Sequence, residues 1–162
     1  MENQSAKGNK QGNDGLGAGD FEDAIKSYGR AMQELATVGN AEDDRNRAER
    51  ACLALHLNMA QANLKLHKFD DAKKECNSAL SIDQKSIKAL YRRGVAQAAL
   101  ARQATLFQED EAKAGCAYFE ALLKLDPSEK QAEKELQRLR AELKAHSRDD
   151  DGKEIVGAKK RA

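Results

Sequence analysis

The sequence predicts an all-α fold: three helix pairs stacked in a right-handed superhelix and closed by a C-terminal capping helix. Three observations carry this. Apolar residues recur at i, i+3, i+4 and i+7 along most of the chain from Phe21 onward. Ala60 and Gly94 stand 34 residues apart in the stretch from Leu53 to Gly94, a period typical of stacked helix pairs. The composition, with one proline, no tryptophan and 4% aromatic residues, is that of an alanine- and leucine-rich helical protein.

At 162 residues the chain fits one domain, and 34% charged residues give it a strongly polar surface. The small side chains suit thin stacked layers, in which each repeat contacts only its neighbours. The net charge is +1, from 28 basic and 27 acidic residues, so any electrostatic preference must come from local placement. Nothing approaches the roughly 18 consecutive apolar residues of a membrane span. The N-terminal MENQSAKGNK lacks the apolar region of a secretory signal. Cys52, Cys76 and Cys116 are odd in number and form no CxxC pair. This argues against a disulfide framework and a zinc site, and favours a reducing, cytoplasmic setting.

In chain order, residues 1–11 are expected to be a flexible leader. Gly8, Gly12, Gly15, Gly17 and Gly19 crowd the first expected helix, and each interior glycine costs about 1 kcal/mol relative to alanine. That helix is therefore expected to be frayed or partly missing. Phe21, Ala24, Ile25, Tyr28, Ala31 and Met32 form the apolar face of its partner. Ala24, Tyr28 and Ala31 match Ala72, Cys76 and Ala79 at a constant offset of 48, which is the period plus an insertion of 14. Val38-Gly39-Asn40 reads as a turn. The acid-rich stretch after it should extend a long helix from near Ala41 to Leu66, with Leu53, Leu57, Ala60 and Leu64 buried.

A helix from Asp70 to about Ile82 follows, with Asp70 and Lys74 as an outer pair. Ser86 can cap the next, from Ile87 to about Ala101. Gly115, Phe119, Leu122 and Pro127 match Ala72, Cys76, Ala79 and Gln84 at an offset of 43, so the third repeat carries nine extra residues near 101–110. These lengthen its helices or form a projecting loop. Asp126-Pro127-Ser128-Glu129 reads as the start of the capping helix, with proline at its first position. That helix should run to His146 with Ala132, Leu136, Leu139 and Leu143 buried, leaving 147–162 as a disordered tail.

The segments GDFEDAIKSYGRAM, LHLNMAQANLKLHKFDDAKKECNSAL, KALYRRG and YFEALLKLDP, with the long link before the second repeat, resemble the tetratricopeptide-repeat (TPR) domain of the large immunophilins. These are the FKBP-type and long cyclophilin-type prolyl isomerases and the related aryl-hydrocarbon-receptor-interacting protein. The resemblance covers residues 12–146. It implies a co-chaperone module whose groove holds the acidic tail of heat-shock protein 90, Met-Glu-Glu-Val-Asp, or that of heat-shock protein 70, in a carboxylate clamp. Position by position, the peptide-binding residues are Asn13, Asn58, Lys88 and Arg92. The lysine expected four residues before Asn13 is Asn9, with Lys10 beside it. Lys10 is rotated by about 100° and could reach the peptide only with adjustment.

The chemistry suits the task. Lys88 and Arg92 lie one turn apart on one helix face. The arginine offers a planar fork and the lysine a mobile charge, for a terminal aspartate bearing two carboxylates. Asparagine amides donate without adding charge. The competing reading is a generic repeat scaffold in which these cations are merely a solvated face. No catalytic grouping, phosphate loop or metal set is present in the sequence, and no cofactor is implied. The chain should not isomerise proline, although the resemblance implies a separate isomerase domain in the full protein. Lys159-Lys160-Arg161 is offset by Asp149 to Asp151, which argues against nucleic acid as a partner. Neither is a membrane implied, and a monomer is the default. RLRAELKAH is amphipathic and basic, but its apolar stripe can be consumed by the neighbouring helix.

Overall fold

Stripes of small residues set the architecture, because they let helices approach closely. The computed structural model describes residues 4–37 and 42–159, with side chains to Ser147. Its seven helices are α1 (Gln4–Ala18), α2 (Phe21–Leu35), α3 (Glu42–Lys65), α4 (Phe69–Ile82), α5 (Ile87–Gln103), α6 (Glu109–Leu125) and α7 (Lys130–Lys159). Successive helices pack pairwise. In addition α1 touches α3, α3 touches α5 and α5 touches α7, while among the described residues no two of α2, α4 and α6 come into close backbone contact. The odd-numbered helices therefore form the inner wall of the stack. None of the helices is long and apolar enough to cross a membrane, among the described residues.

The expectation for α1 is corrected. Residues expected to belong to a flexible leader and a frayed helix form fifteen helical residues, with Ser5, Gly8 and Gly12 buried. The glycines are a packing surface: a Cβ at Gly8, Gly12 or Gly15 would meet Ala31, Tyr28 or Ala24 respectively, the three buried residues of α2. Close approach offsets the propensity cost. Gly19, at φ 89°, ends the helix, and the Asp20 N–H closes the turn on the Gly15 carbonyl at 2.8 Å. His67 takes the same left-handed position after α3, at φ 57°.

In α3, Leu55, Ala60, Ala62 and Asn63 are buried, whereas Leu53, Leu57 and Leu64 are only half-buried. The single expected stripe fails because α3 is contacted by α1, α2, α4 and α5, which approach from several sides. The turn expected at Val38-Gly39-Asn40 lies outside the described residues. On α4 the expected Asp70–Lys74 pair is replaced by i, i+3 pairs: Lys74 meets Asp71 at 3.0 Å, and Lys73 lies 4.0 Å from Asp70. Lys73 turns instead toward Glu111 of the next repeat, at 3.2 Å. Ser86 caps α5 as expected, its Oγ accepting from the Ala89 N–H at 3.4 Å.

The nine extra residues of the third repeat are shared out. Helices α5 and α6 each have 17 residues against 14 in α4, and a short loop projects between them. Leu106 at its tip is 77% exposed, while Phe107 stacks on His146 with ring centroids 4.3 Å apart. Pro127 does not start α7. Asp126 ends α6 and its carboxylate accepts both the Ser128 N–H, at 3.0 Å, and the Ser128 hydroxyl, at 2.6 Å. These bonds hold the Asp126 carboxyl below its usual value and fold 126–128 into a turn, delaying the helix to Lys130. Ala132, Leu136 and Leu139 of α7 are buried against Leu122, Phe119 and Ala98 in one core cluster. The helix continues past the expected end at His146 to Lys159, since no proline follows Pro127 to stop it. Residues 160–162 of the expected tail lie outside those described.

Candidate functional site

The inner wall brings together three of the sequence-derived residues. Asn13 sits on α1, Asn58 on α3, and Arg92 on α5. The Asn58 Nδ2 donates to the Asn13 Oδ1 at 3.0 Å, joining the first two repeats across 45 residues of sequence. The Arg92 Nη1 donates to the Leu57 carbonyl at 2.6 Å, joining the second and third. Leu57 is the neighbour of Asn58, so the guanidinium is anchored beside the amide pair. Burial lowers the Arg92 pKa from its ordinary value, which marks a partly dehydrated cation.

Lys88 stands one turn before Arg92 and is exposed. Neither forms an ion pair with a carboxylate among the described residues. Lys26, Lys68, Lys73, Lys74, Arg102, Lys113, Arg138 and Arg140 do, while other exposed cations such as Arg30 and Lys85 also lack an acid among the described residues. Arg93, also anchored without an acid, is spent on Asn77, Gln97 and the Tyr118 ring, whereas Arg92 makes its one hydrogen bond among the described residues to a backbone carbonyl and keeps further donors toward the groove. This site has two uncompensated positive charges beside two amides, an arrangement that can accept a carboxylate.

The first repeat supplies less. Lys10 is exposed and carries no hydrogen bond or ion pair among the described residues, and no contact joins it to Asn13 or Asn58. Asn9 is half-buried, with its Oδ1 shielded from solvent and without a hydrogen-bond partner among the described residues. One residue escaped the sequence reading. Tyr28 was expected in the core and is there, fully buried, but its hydroxyl also donates to the Asn13 Oδ1 at 2.9 Å. The available signal was its phenol: the matching residues of the other repeats, Cys76 and Phe119, lack a hydroxyl.

Other polar clusters are structural. The Arg93 Nε donates to Asn77 at 2.9 Å, its Nη1 to Gln97 at 2.5 Å, and its guanidinium lies 4.8 Å from the Tyr118 ring centroid. His56 meets Glu75 at 2.7 Å between α3 and α4. No group of three or more metal-ligating side chains occurs among the described residues, and all three cysteines are free.

No protein-family model matches the chain. Among curated proteins, the peptidyl-prolyl cis-trans isomerase FKBP4 of Bos taurus is 32% identical over 130 residues, which are 77% of this chain and 26% of that protein. FK506-binding protein 59 of Drosophila melanogaster is 35% identical over 71 residues, 44% of this chain and 16% of that protein. The chain thus spans about a quarter of FKBP4 or less of these relatives' lengths. Among solved structures, the first TPR of Spaghetti (RPAP3) bound to an HSP90 peptide superposes with a TM-score of 0.68 at 25% identity, covering 88% of this chain and 95% of that one. The second TPR domain of human RPAP3, in complex with an HSP70 peptide, gives 0.66 at 28% identity over 85% and 95%. The C-terminal TPR-containing domain of a Plasmodium falciparum FK506-binding protein gives 0.78 over 90% and 91%, and at 17% identity attests the fold. The matched structures are TPR domains, a protein-binding fold. The chain is a tetratricopeptide-repeat domain homologous to the TPR region of the FKBP4 and FKBP59 immunophilins.

Proposed function

We propose that this domain is a cytoplasmic co-chaperone module that docks the acidic C-terminal tail of heat-shock protein 90, or of heat-shock protein 70, in the groove of its inner wall. The observation that carries the reading is the acid-free pair of cations on α5, Lys88 and Arg92, beside the hydrogen-bonded amides Asn13 and Asn58. Two relatives of the fold were solved with such tails in place. Arg92 takes the terminal aspartate, which presents two carboxylates on one residue, and Lys88 draws it in by charge. Asn58 and Asn13 donate to the same end of the peptide, and Lys10 adds only long-range attraction. Hydrogen bonds to charged groups are worth about 1.5–3 kcal/mol each, so three or four of them, after association costs, fit an affinity near micromolar.

The test is calorimetric titration with a peptide ending Met-Glu-Glu-Val-Asp, beside its C-terminal amide. Micromolar binding to the acid that falls at least about tenfold with the amide supports the clamp, since loss of one charged hydrogen bond has this size. Equal binding of both peptides, or none, would return the domain to a generic repeat scaffold.

A further inference from the structure

We propose that Tyr28 is a positioning residue of the peptide site, whose hydroxyl holds the Asn13 amide in the one orientation that turns its Nδ2 donor to the ligand. The inference rests on the groove reading above and deepens it. An asparagine amide can be flipped at little cost unless its neighbours distinguish oxygen from nitrogen. At Asn13 two donors converge on one oxygen: the Tyr28 hydroxyl at 2.9 Å and the Asn58 Nδ2 at 3.0 Å. A flipped Asn13 would set its own N–H groups against the Asn58 donor. The oxygen is therefore held toward Tyr28 and Asn58. The Nδ2 makes no hydrogen bond among the described residues, and Asn13 is exposed. Its remaining donor is offered to the groove, where a carboxylate can only accept.

The device is built into the packing of the first repeat. Tyr28 belongs to the outer helix α2, and its ring must pass α1 to reach the inner wall. It does so over Gly12, where an added Cβ would lie less than 3.0 Å from the ring. The glycine next to Asn13 is thus the opening through which the phenol reaches it. The ring is fully buried, so the hydroxyl has no water to substitute for Asn13. Burial also raises the Tyr28 pKa, so the phenol keeps its proton, and remains a donor, at neutral pH. Cys76 and Phe119, the residues at the matching positions of repeats two and three, have no such group, and those repeats present Asn58 and Arg92 by other bonds.

The variant that isolates the hydroxyl is Tyr28→Phe, which keeps the ring over Gly12. Titration with the Met-Glu-Glu-Val-Asp peptide is expected to give about 3- to 10-fold weaker binding, the size of one neutral hydrogen bond. In an Asn13→Ala background the same substitution is expected to cost clearly less, because the contact with Asn13 is gone and only the hydroxyl's hydrogen bond with Asn58 remains. Wild-type affinity in Tyr28→Phe, or an equal loss in both backgrounds, would overturn the proposal. A second readout needs no ligand: the Asn13 side-chain amide resonances of the free domain should be sharp and distinct in the wild type, and broadened or moved toward solvent-exposed values in Tyr28→Phe. Unchanged resonances would overturn the lock even if binding falls. If the wild type fails to bind the peptide while the resonances change as expected, the groove reading fails and the ligand role of Tyr28 falls with it, although the hydroxyl still holds Asn13.

Discussion

Arg92 reaches back to the second repeat, and its Nη1 donates to the Leu57 carbonyl at 2.6 Å. The bond fixes the guanidinium where a mobile cation would otherwise sweep the groove. It also leaves Nε and Nη2 for a ligand, an arrangement that an ammonium group cannot copy. Arg92→Lys keeps the charge and loses the anchored fork, so it is expected to weaken binding of the chaperone-tail peptide about tenfold, close to the loss in Arg92→Ala. Calorimetry with both variants checks this. Wild-type affinity in Arg92→Lys would mean that charge alone matters here.

Lys88 should behave differently. It is exposed and carries no ion pair among the described residues, so its share is mostly screened attraction. Lys88→Met is expected to weaken binding about threefold at low salt, and less as salt rises and the Debye length falls from roughly 10 Å toward 3 Å. Titrations of both proteins at two ionic strengths decide it. A loss that is the same at each would show that Lys88 makes a specific hydrogen bond instead.

The glycines divide by what lies over them. A Cβ at Gly94 would stand 2.7 Å from the Phe119 ring, which is fully buried. Gly94→Ala is therefore expected to destabilise the domain by about 1–3 kcal/mol through overpacking. At Gly29, in the middle of α2, nothing lies within 4 Å. Gly29→Ala meets no obstacle and gains helix propensity, so it is expected to stabilise by up to about 1 kcal/mol. Thermal melts of the two variants should move in opposite directions. A shift of the same sign would refute the packing account.

The same residues explain how far the sequence could be read. Periodicity placed α2, α4 and α5 closely, because Ala24, Ala72 and Ala79 mark faces that bury against few neighbours. It misjudged α1, because propensity counts Gly8, Gly12 and Gly15 as costs and contains no information on the ring and the alanines that fill the space above them. It misjudged Pro127, because local capping signals did not include the competing bonds from Ser128 to Asp126. In the site, the resemblance to the immunophilin repeats supplied Asn13, Asn58, Lys88 and Arg92 as candidates. The Tyr28 hydroxyl and the Leu57 carbonyl were not legible, since both act through contacts that depend on how separate helices pack.

Cys76 supplies a prediction about pH. Its thiol is fully buried on α4, and burial pushes it from its ordinary value of 9.0 up to about 12, the nearby Arg92 only partly opposing. Below pH 9 the thiol is protonated whether the chain is folded or not, and stability is unaffected. Between 9 and 12 the unfolded chain releases a proton that the folded chain retains, so the unfolded state gains and stability falls with rising pH. The slope contributed by this one group approaches about 1.4 kcal/mol per pH unit. The buried Tyr28, the half-buried Tyr91 and the thiols Cys52 and Cys116 are raised as well and act in the same direction, but equally in any Cys76 variant. Cys76→Ala, matching the small residue at position 72 on the same stripe, should therefore start less stable at pH 8 and lose less stability by pH 10.5 than the wild type. Urea melts of both proteins at the two pH values measure the difference. Parallel losses would mean that the Cys76 thiol ionises within the fold as readily as outside it.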